Sequence, residues 1–337
     1  MRNPVVRLIH SSPRVLQQLW RLWLACGCSL VVAAAEPAAL EAAPTGSIRV
    51  LSYNIMWEEK GVRAGNKALP VWKERRNLVR DIIRRYQPDL IGLQEASPEQ
   101  QVDLAEDNPD YGIVYDRNMN NTNPVMYRTQ RFTAKDSGAF VLNDVPERPG
   151  TNIGVRKASF VRLIDAQTGN AFTVFNIHLD SRGNGSTRRI GTVRLVEKMA
   201  AEQDPVLLTG DFNCRETSPT MRFLFGQQSL TDNRGAPFEN PRPLSDALEL
   251  INTGYDLIDH VLVDRRVEVL AASQLRDVDR NASDHFAVLA IVSLRRWCVR
   301  FRGARGAGRR TRTLCAAGRL SPTVPARGSR HRRAGGW

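Results

Sequence analysis

The stretch PVLLTGDFNC, residues 205–214, places an acid and an amide directly after a short apolar run. The run VLLT has the length and composition of a buried β-strand, and Gly210 ends it. Asp211 and Asn213 are two residues apart, so an extended chain would place both side chains on one face. A carboxylate can orient a water molecule or hold a cation, and a carboxamide can donate to an anionic oxygen. The pair suits hydrolysis of a phosphate ester, although taken alone it is also ordinary turn chemistry.

Polar residues at the ends of other apolar runs are arranged so that they can join this pair. Asn54, Glu95 and His178 each follow a run with strand character. Asp284 and His285 instead precede one, the run FAVLAIV. If that last strand runs antiparallel to its neighbours, all of these side chains meet at one edge of the sheets. We therefore expect a single polar site at that edge.

The elements that must position these residues are indicated by the spacing of apolar side chains. Residues 71–86 carry apolar side chains on one face, which predicts an amphipathic helix that Pro88 ends. Ser97, followed by Pro98 and by Gln100, predicts the start of a second helix with a capping box. Short strands are predicted at 111–115, 124–127, 138–142, 158–164 and 171–177.

The second half of the chain continues the alternation of helices and strands. A helix is predicted from the apolar spacing of Ile190, Val193, Val196 and Met199. Residues 231–243, rich in Asn, Gly and Pro, are predicted to form a loop. The run LIDHVLV predicts a strand with Asp259 within it. This order of elements predicts an α/β fold, a sandwich of two mixed β-sheets.

The net charge of +13 is concentrated at the two ends of the chain. Residues 47–294 contain 31 Lys and Arg against 33 Asp and Glu, so this part is nearly neutral. A basic nucleic-acid-binding domain is therefore not indicated. Of the five cysteines only Cys214 lies in this part, and the spacings show neither a disulfide framework nor a zinc site. We expect Cys214 to be buried.

The amino-terminal 46 residues have the pattern of an export signal followed by a linker. Four arginines precede an apolar stretch at 22–35, which is too short for a comfortable membrane span. Ala33 and Ala35 suit cleavage before Glu36, so we expect an exported protein without a permanent membrane span. Lipidation at Cys26 is a weaker interpretation, because Leu24 and Ala25 fit the preceding positions poorly.

The last 43 residues, 295–337, contain thirteen arginines and no acidic residue, and they show little apolar periodicity. This composition predicts a disordered tail, which either binds polyanions or has no function. The sequence thus divides into a leader with linker (1–46), a folded domain (47–294) and an Arg-rich tail (295–337).

Six motifs in the folded domain, taken in order, carry a resemblance. These are LSYN, DLIGLQE, NIHLD, GDFN, LIDHVLV and SDH, spread over roughly residues 47–294. The chain resembles the endonuclease/exonuclease/phosphatase superfamily, metal-dependent hydrolases that include DNase I, abasic-site endonucleases, neutral sphingomyelinases and inositol-polyphosphate phosphatases. The resemblance implies a four-layer α/β sandwich, with the active site between the sheet edges.

The resemblance also implies a metal site. Glu95 is similar to the main metal ligand of the family, with Asn54 and Asp284 nearby. Oxygen ligands without cysteine suit a hard cation, Mg²⁺ or alternatively Mn²⁺.

The remaining motif residues are similar to the catalytic groups of the family. Asp259 and His285 match a carboxylate and imidazole pair that accepts a proton from water or stabilises the developing charge. By the same resemblance, Asp211 orients the attacking water and Asn213 holds a nonbridging phosphate oxygen.

Two further residues complete the expected site. His178 matches the members that carry His in this motif, and it either protonates the leaving oxygen or donates to the phosphate. Arg156 stands where many relatives have an arginine that faces the phosphate. The reaction implied is in-line attack of an activated water on a phosphate ester, most simply by a phosphodiesterase.

Two alternative functions remain open on the sequence alone. One is a nonspecific secreted nuclease that collects DNA or RNA with the Arg-rich tail. The other is a catalytically inactive binding or scaffold protein, against which the intact site residues argue. No obligate protein partner is indicated, and phosphate-ester substrates, nucleic acid among them, are the expected ligands.

Overall fold

The computed structural model describes residues 43–58, 69–114, 121–143, 155–181, 185–232, 234–251 and 257–295, and the backbone of 298–302 and 311–315. The chain divides into residues 1–42 and 43–337, and only the second unit is described below. The predicted export signal lies outside the described residues, so the division at 46 and the export of the protein stay predictions.

The first sheet has six strands and carries both the first and the last strand of the folded domain. Its strands are β1 (Ile48–Asn54), β2 (Leu90–Gln94), β3 (Tyr111–Val114), β4 (Val125–Arg128), β13 (Val267–Gln274) and β14 (Val288–Leu294), in the order β13-β14-β1-β2-β4-β3. Strand β1 is parallel to β2 and antiparallel to β14. The sequence analysis brought Asp284 and His285 to the site only if the last strand ran antiparallel to its neighbours, and this prediction is confirmed.

The second sheet also has six strands and places the GDFN motif near its centre. Its strands are β5 (Phe132–Val141), β6 (Lys157–Asp165), β7 (Ala171–His178), β8 (Val206–Asp211), β11 (Leu244–Asp246) and β12 (Asp259–Asp264), in the order β11-β12-β8-β7-β6-β5. Strand β8 is parallel to β7 and antiparallel to β12. Both sheets are thus mixed, as the sequence predicted.

Five helices are described: α1 (Trp72–Tyr86), α2 (Pro98–Asp107), α3 (Ser186–Ala200), α4 (Pro219–Leu224) and α5 (Ala247–Leu250). The predicted capping box is present, because the Ser97 hydroxyl accepts from the Gln100 amide at 3.2 Å and the Gln100 side chain accepts from the Ser97 amide at 2.9 Å. No helix in the described part of the chain is both long and apolar enough to cross a membrane.

The main core lies between the two sheets. Val50 and Leu90 of the first sheet pack in one cluster with Val174, Leu207 and Val261 of the second, and all five are buried. Packing of the two apolar faces removes both from water, which is the dominant stabilising contribution to such a fold. The predicted α/β sandwich of two packed mixed sheets flanked by helices is confirmed.

A second core covers the outer face of the second sheet. Phe175 and Leu208 of that sheet pack with Val196 of α3 and Phe223 of α4. Cys214 joins this cluster with 9% of its surface exposed, as predicted. Ile190 does not, because 37% of its surface is exposed, and the predicted apolar face of α3 therefore begins at Val193.

Three local predictions need correction. Strand β5 begins at Phe132, well before the predicted start at 138. The polar stretch TAKDS lacks the apolar residues from which a strand is predicted. Asp259 is the first residue of β12 and not an interior one. The predicted loop at 231–243 overlaps two short paired strands, β9 (Leu230–Thr231) and β10 (Pro237–Phe238).

Part of the Arg-rich tail has a described backbone. Strands β15 (Cys298–Arg302) and β16 (Thr311–Cys315) pair antiparallel with each other. Most of the segment predicted to be disordered lies outside the described residues, so the division at Leu294 stays a prediction.

Candidate active site

Asp211 lies at the centre of the site. It is the last residue of β8, and β8 lies between β7 and β12 in the second sheet. His178, the last residue of β7, is in register with Asp211, and so is Asp259, the first residue of β12. The parallel β7 ends where β8 ends, and the antiparallel β12 begins there, so all three side chains come to one sheet edge. The Nε2 atom of His178 lies 3.5 Å from Oδ2 of Asp211.

His285 joins this group from the other sheet. Its Nδ1 atom lies 2.7 Å from Oδ2 of Asp259, and its Nε2 atom lies 3.9 Å from Oδ2 of Asp211. The bond to Asp259 fixes the ring, so that Nε2 is directed toward Asp211. Asp211, Asp259 and His285 hold their ligand atoms within 4.8 Å of one another.

Asn54 also bridges the two sheets. Its Nδ2 atom donates to Oδ2 of Asp211 at 3.0 Å, and its Oδ1 atom accepts from the Met56 amide at 3.0 Å. The Ser283 hydroxyl donates to the Asn54 carbonyl at 2.7 Å and so joins the end of β1 to the SDH segment. Strands that are far apart in the sequence therefore meet at this point, as the motif order predicted.

Glu95 lies immediately after β2 in an unusual backbone conformation. Its φ is 56°, and Met56 on the neighbouring loop has a φ of 59°. The left-handed region costs energy for residues other than glycine, and such residues cluster at functional sites. The Trp57 amide donates to Oε2 of Glu95 at 3.1 Å, which fixes the carboxylate from the loop that follows Asn54.

Asn213 reaches the site by a turn and not by continuation of the strand. Strand β8 ends at Asp211, and Asn213 has a φ of 49°, so the prediction that both side chains share one face of an extended chain is wrong. The Asn213 amide donates to Oδ1 of Asp211 at 2.9 Å, and its Nδ2 atom donates to the Leu179 carbonyl at 2.9 Å. These two bonds hold the carboxamide beside the HLD motif.

Arg156 lies at the edge of this group. Its Nη2 atom is 3.8 Å from Oδ1 of Asp180, and its charge helps to lower the pKa of His178. The Arg188 Nη1 atom donates to the Asp180 carbonyl at 2.6 Å, so a second guanidinium borders the same motif. Helix α3 contains other arginines, and nothing in the sequence distinguishes Arg188 from them. The sequence therefore did not predict that Arg188 borders the site.

Asp284 is the most exposed of the predicted residues. Its Oδ1 atom lies 3.5 Å from the Ser283 hydroxyl, and its charge contributes to raising the pKa of His285. The expected site residues that contact Asp211 or pair with it in register are Asn54, His178, Asn213, Asp259 and His285. The charges of Glu95 and Arg156 act on His178, and that of Asp284 acts on His285.

The surroundings shift the pKa values of His178, Asp211 and His285 in different directions. Burial lowers the pKa of His178 to about 4, so the ring is neutral at pH 7 and its contact with Asp211 is not an ion pair. Burial and the neighbouring charge of Asp259 raise the pKa of Asp211 above its usual range. Burial also disfavours the charged form of His285, but Asp259 outweighs it and the pKa rises to about 10.

A buried polar layer lies beneath the site and ties the sheets together. The Ser52 hydroxyl accepts from the Gly210 amide at 3.0 Å, and Gln94 Nε2 donates to Asn176 Oδ1 at 2.7 Å. The sheets approach closely here, because a Cβ atom on Gly92 would lie 2.0 Å from the Thr209 hydroxyl oxygen. The sequence analysis did not predict this layer, because these polar residues lie inside runs that otherwise predict apolar strands.

The donor set fits a hard cation. Glu95, Asn54 and Asp284 offer carboxylate and amide oxygens, and the buried Oδ1 of Asp259 has no hydrogen-bond partner among the described residues. Mg²⁺ and Mn²⁺ prefer such oxygen ligands. Cys214 is buried with a raised pKa, as expected of a thiol shielded from water, and so offers no thiolate.

A second cluster of Glu216, Asp246 and His260 lies behind Asp259 and is explained without a metal. His260 Nε2 lies 3.1 Å from the Leu257 carbonyl, and Nδ1 bonds to Asp246. Both ring nitrogens therefore donate, which requires an imidazolium. Burial opposes that charge, but the bond to Asp246 raises the pKa of His260.

Replacing His260 by Gln is expected to destabilise the protein by about 3 kcal/mol at pH 6, because Asp246 is left buried without its partner. The raised folded pKa means that this stabilisation is complete below the unfolded pKa of about 6.5 and is lost as the pH rises through the folded pKa. Urea unfolding of both proteins at pH 6 and pH 9 measures this effect. An equal destabilisation at the two pH values would contradict a charged His260.

The sandwich with this edge site defines a DNase I-like hydrolase of phosphate esters. The chain belongs to the Endonuclease/Exonuclease/phosphatase family, whose sequence profile matches residues 51–285. Members of this family are metal-dependent phosphoesterases, acting as nucleases, phosphatases or phosphodiesterases.

Three relatives show how far the similarity extends. An uncharacterized protein of Acanthamoeba polyphaga mimivirus is 24% identical over 186 residues, which cover 49% of this chain and 67% of that protein. Nocturnin of Drosophila melanogaster is 25% identical over 201 residues, which cover 53% of this chain but 30% of Nocturnin. The structure of a mannosyl-6-phosphatase from Bacteroides thetaiotaomicron superposes with a TM-score of 0.58 at 23% identity, covering 74% of this chain and 100% of that one.

Proposed function

We propose that this chain is an Mg²⁺-dependent phosphodiesterase that hydrolyses its substrate by in-line attack of water. The observation that carries the proposal is the His285 ring, which Asp259 holds at 2.7 Å with Nε2 directed toward Asp211. An imidazolium and a carboxylate that lie 3.9 Å apart can both act on one phosphate and its attacking water, which supports the proposal.

Glu95, Asn54 and Asp284 would hold the cation. When bound, Mg²⁺ supplies positive charge that offsets the charge developing on the phosphate oxygens. The site also has a second positive group, because His285 is protonated at neutral pH with a pKa of about 10.

Asp211 orients the attacking water and accepts its proton as the oxygen of the water bonds to phosphorus. The bond from phosphorus to the leaving oxygen breaks, and that oxygen takes a proton from solvent. The raised pKa of Asp211 makes it a better proton acceptor than an ordinary aspartate. His285, already protonated, stabilises the developing charge on the phosphate, and this assignment is favoured over acceptance of a proton by the ring.

Asn213, His178 and Arg156 hold the phosphate. With a pKa of about 4, the His178 ring is neutral at pH 7 and keeps one N–H. That N–H donates a hydrogen bond to the phosphate, but it is too weak an acid to protonate the leaving oxygen. Asn213 donates to a nonbridging oxygen, and Arg156 supplies charge at the border beside Asp180.

Hydrolysis of bis-p-nitrophenyl phosphate by the full chain with Mg²⁺ tests the proposal. We expect turnover that chelation abolishes and that His285→Ala lowers by about 10³-fold, since groups of this kind contribute 10² to 10⁴. p-Nitrophenyl phosphate is measured beside it. Turnover of the monoester alone would replace the phosphodiesterase by a phosphatase, the activity named for the Bacteroides relative.

A nuclease is the second candidate, favoured by the thirteen arginines after Leu294. Removal of residues 295–337 would then weaken cleavage of DNA sharply and leave turnover of the small diester unchanged. An inactive scaffold protein is disfavoured by the assembled site, and it would require that neither ester is hydrolysed and that Mg²⁺ does not bind.

Export of the protein remains our proposal from the sequence of residues 1–46. The amino terminus of the mature protein, read by Edman degradation after expression in a bacterial host, tests it. We expect the sequence to begin at Glu36.

A further inference from the structure

Among the residues that the structure describes, Arg75 of α1 is the largest side chain that is fully buried, with 0% of its surface exposed. Arginine is rarely buried unless it is well hydrogen-bonded, because removing its charge from water is costly. The motif WKERR, in which it stands, has three basic residues, and Arg75 is the one on the buried face of the helix. Its burial therefore requires an explanation.

Four backbone carbonyls surround its guanidinium. The Nη1 atom donates to the carbonyls of Ile55 and Ala282, the latter at 3.1 Å. The Nη2 atom donates to the carbonyls of Met56 at 2.5 Å and Trp57 at 3.2 Å. All these bonds go to the two terminal nitrogens, since Nε has no hydrogen-bond partner among the described residues.

These carbonyls belong to the two segments that carry the proposed metal ligands. Residues 55–57 directly follow Asn54, and Ala282 comes two residues before Asp284. We propose that Arg75 is a positioning residue, which fixes both segments and thereby presets the oxygen ligands for Mg²⁺. This inference rests on the proposed function, because it concerns the same metal site.

The strained backbone at the site supports this role. Met56 has a φ of 59°, and its carbonyl accepts from both Arg75 and Gln100 Nε2, the latter at 2.9 Å. A residue in this region persists when surrounding contacts overdetermine it. The Trp57 amide, one residue further, donates to Oε2 of Glu95. Arg75 thus acts on Glu95 through the loop.

The charge of Arg75 does not explain a role in binding Mg²⁺. Burial lowers the pKa of Arg75 to about 10, so it stays charged at neutral pH within range of the charges of Asp284 and Glu95. A fixed positive charge near these ligands repels Mg²⁺. Its benefit must therefore come from the geometry of its four hydrogen bonds.

The protein offers a matched control in Arg131. This arginine is 8% exposed and donates from Nη1 to the Ser47 carbonyl at 2.6 Å and from Nη2 to the Gly46 carbonyl at 3.1 Å. It also pairs with the buried Asp165. Arg131 bonds at the end of β1 that is far from the site, because Ser47 precedes the first residue of β1 and Asn54, in the site, is its last residue.

The test compares Arg75→Lys, Arg75→Gln and Arg131→Lys in the full chain. Lysine keeps the charge but cannot span four carbonyls, whereas glutamine removes the charge and keeps two donors. Binding of Mg²⁺ is measured by calorimetry, and hydrogen exchange of the segments 54–57 and 282–286 is measured without metal. We expect both Arg75 variants to bind Mg²⁺ about 10-fold more weakly, as for residues that support metal ligands.

We also expect faster exchange of the two segments in both Arg75 variants and neither change in Arg131→Lys. If Arg75→Lys matches Arg131→Lys in affinity and exchange, Arg75 has only a general structural role and the inference is overturned. Tighter binding of Mg²⁺ by Arg75→Gln overturns it as well, because the charge would then be the dominant effect. If Arg75→Lys does not fold, Arg75→Gln decides between these outcomes.

Failure of the proposed function is a separate result. A wild-type chain that neither binds Mg²⁺ nor hydrolyses the diester contradicts the proposed function. The exchange measurement then still tests whether Arg75 fixes the two segments, since faster exchange confined to them supports this and unchanged exchange overturns it.

Discussion

Replacing Asp211 by Asn is expected to lower kcat/KM for a phosphodiester by about 10³-fold, with most of the loss in kcat. The Asp211 carboxylate contacts Asn54 at 3.0 Å, His178 at 3.5 Å and His285 at 3.9 Å, so one substitution removes the proton acceptor and the shared partner of all three. The neutral amide keeps the shape of the side chain. Steady-state kinetics with bis-p-nitrophenyl phosphate measure the effect.

Asp264→Asn is the matched control for this variant. Asp264 is a buried carboxylate at the other end of β12, 3% exposed, and it pairs with Arg266 at 2.7 Å. We expect this variant to be less stable but to keep its kcat. If Asp211→Asn retained more than a tenth of the wild-type kcat, another group would have to accept the proton.

Replacing Glu95 by Gln is expected to weaken Mg²⁺ binding by at least about 100-fold, the upper range for residues that merely support a metal ligand. The amide can still accept from the Trp57 amide, so the local hydrogen bond of 3.1 Å is preserved while the charge is lost. Calorimetric titration with Mg²⁺ measures the affinity, and the melting temperature with and without Mg²⁺ gives a second value.

Glu99→Gln is the corresponding control, because Glu99 lies exposed in the first turn of α2 and close in sequence to the site. Its affinity for Mg²⁺ should match that of the wild type. Equal affinities of Glu95→Gln and the wild type would mean that the cation is held elsewhere, for which the group of Asp211, Asp259 and His285 is the alternative.

The sequence predicted the framework of the site well because that framework follows from strand ends. Asn54, Glu95 and His178 each come at the end of an apolar run, and the structure ends β1, β2 and β7 there. The edge location of Asp284 and His285 required only that β14 be antiparallel to β1, which it is. Periodicity and order suffice for such inferences.

The parts that the sequence did not predict depend on contacts between distant segments. Helical spacing places Arg75 on the apolar face of α1 with Val79 and Ile82. It does not predict the backbone carbonyls of the distant residues 55–57 and 282 that accept from the buried guanidinium. The left-handed conformation of Asn213 is likewise fixed by its bonds to Asp211 and Leu179. Tertiary contacts decide such features, and local propensity does not encode them.

The pairing of the first strand with the last has a consequence for biosynthesis. Strand β14 pairs with β1 in the first sheet. The segment just before β14 brings His285 to Asp259 and the Ser283 hydroxyl to the Asn54 carbonyl. The pairing of β14 with β1 and the bond of Ser283 to Asn54 join residues more than two hundred positions apart, and such long-range pairing forms late. A nascent chain still lacking β14 therefore has no complete site, so hydrolysis begins only when nearly the whole domain has been synthesised and folded.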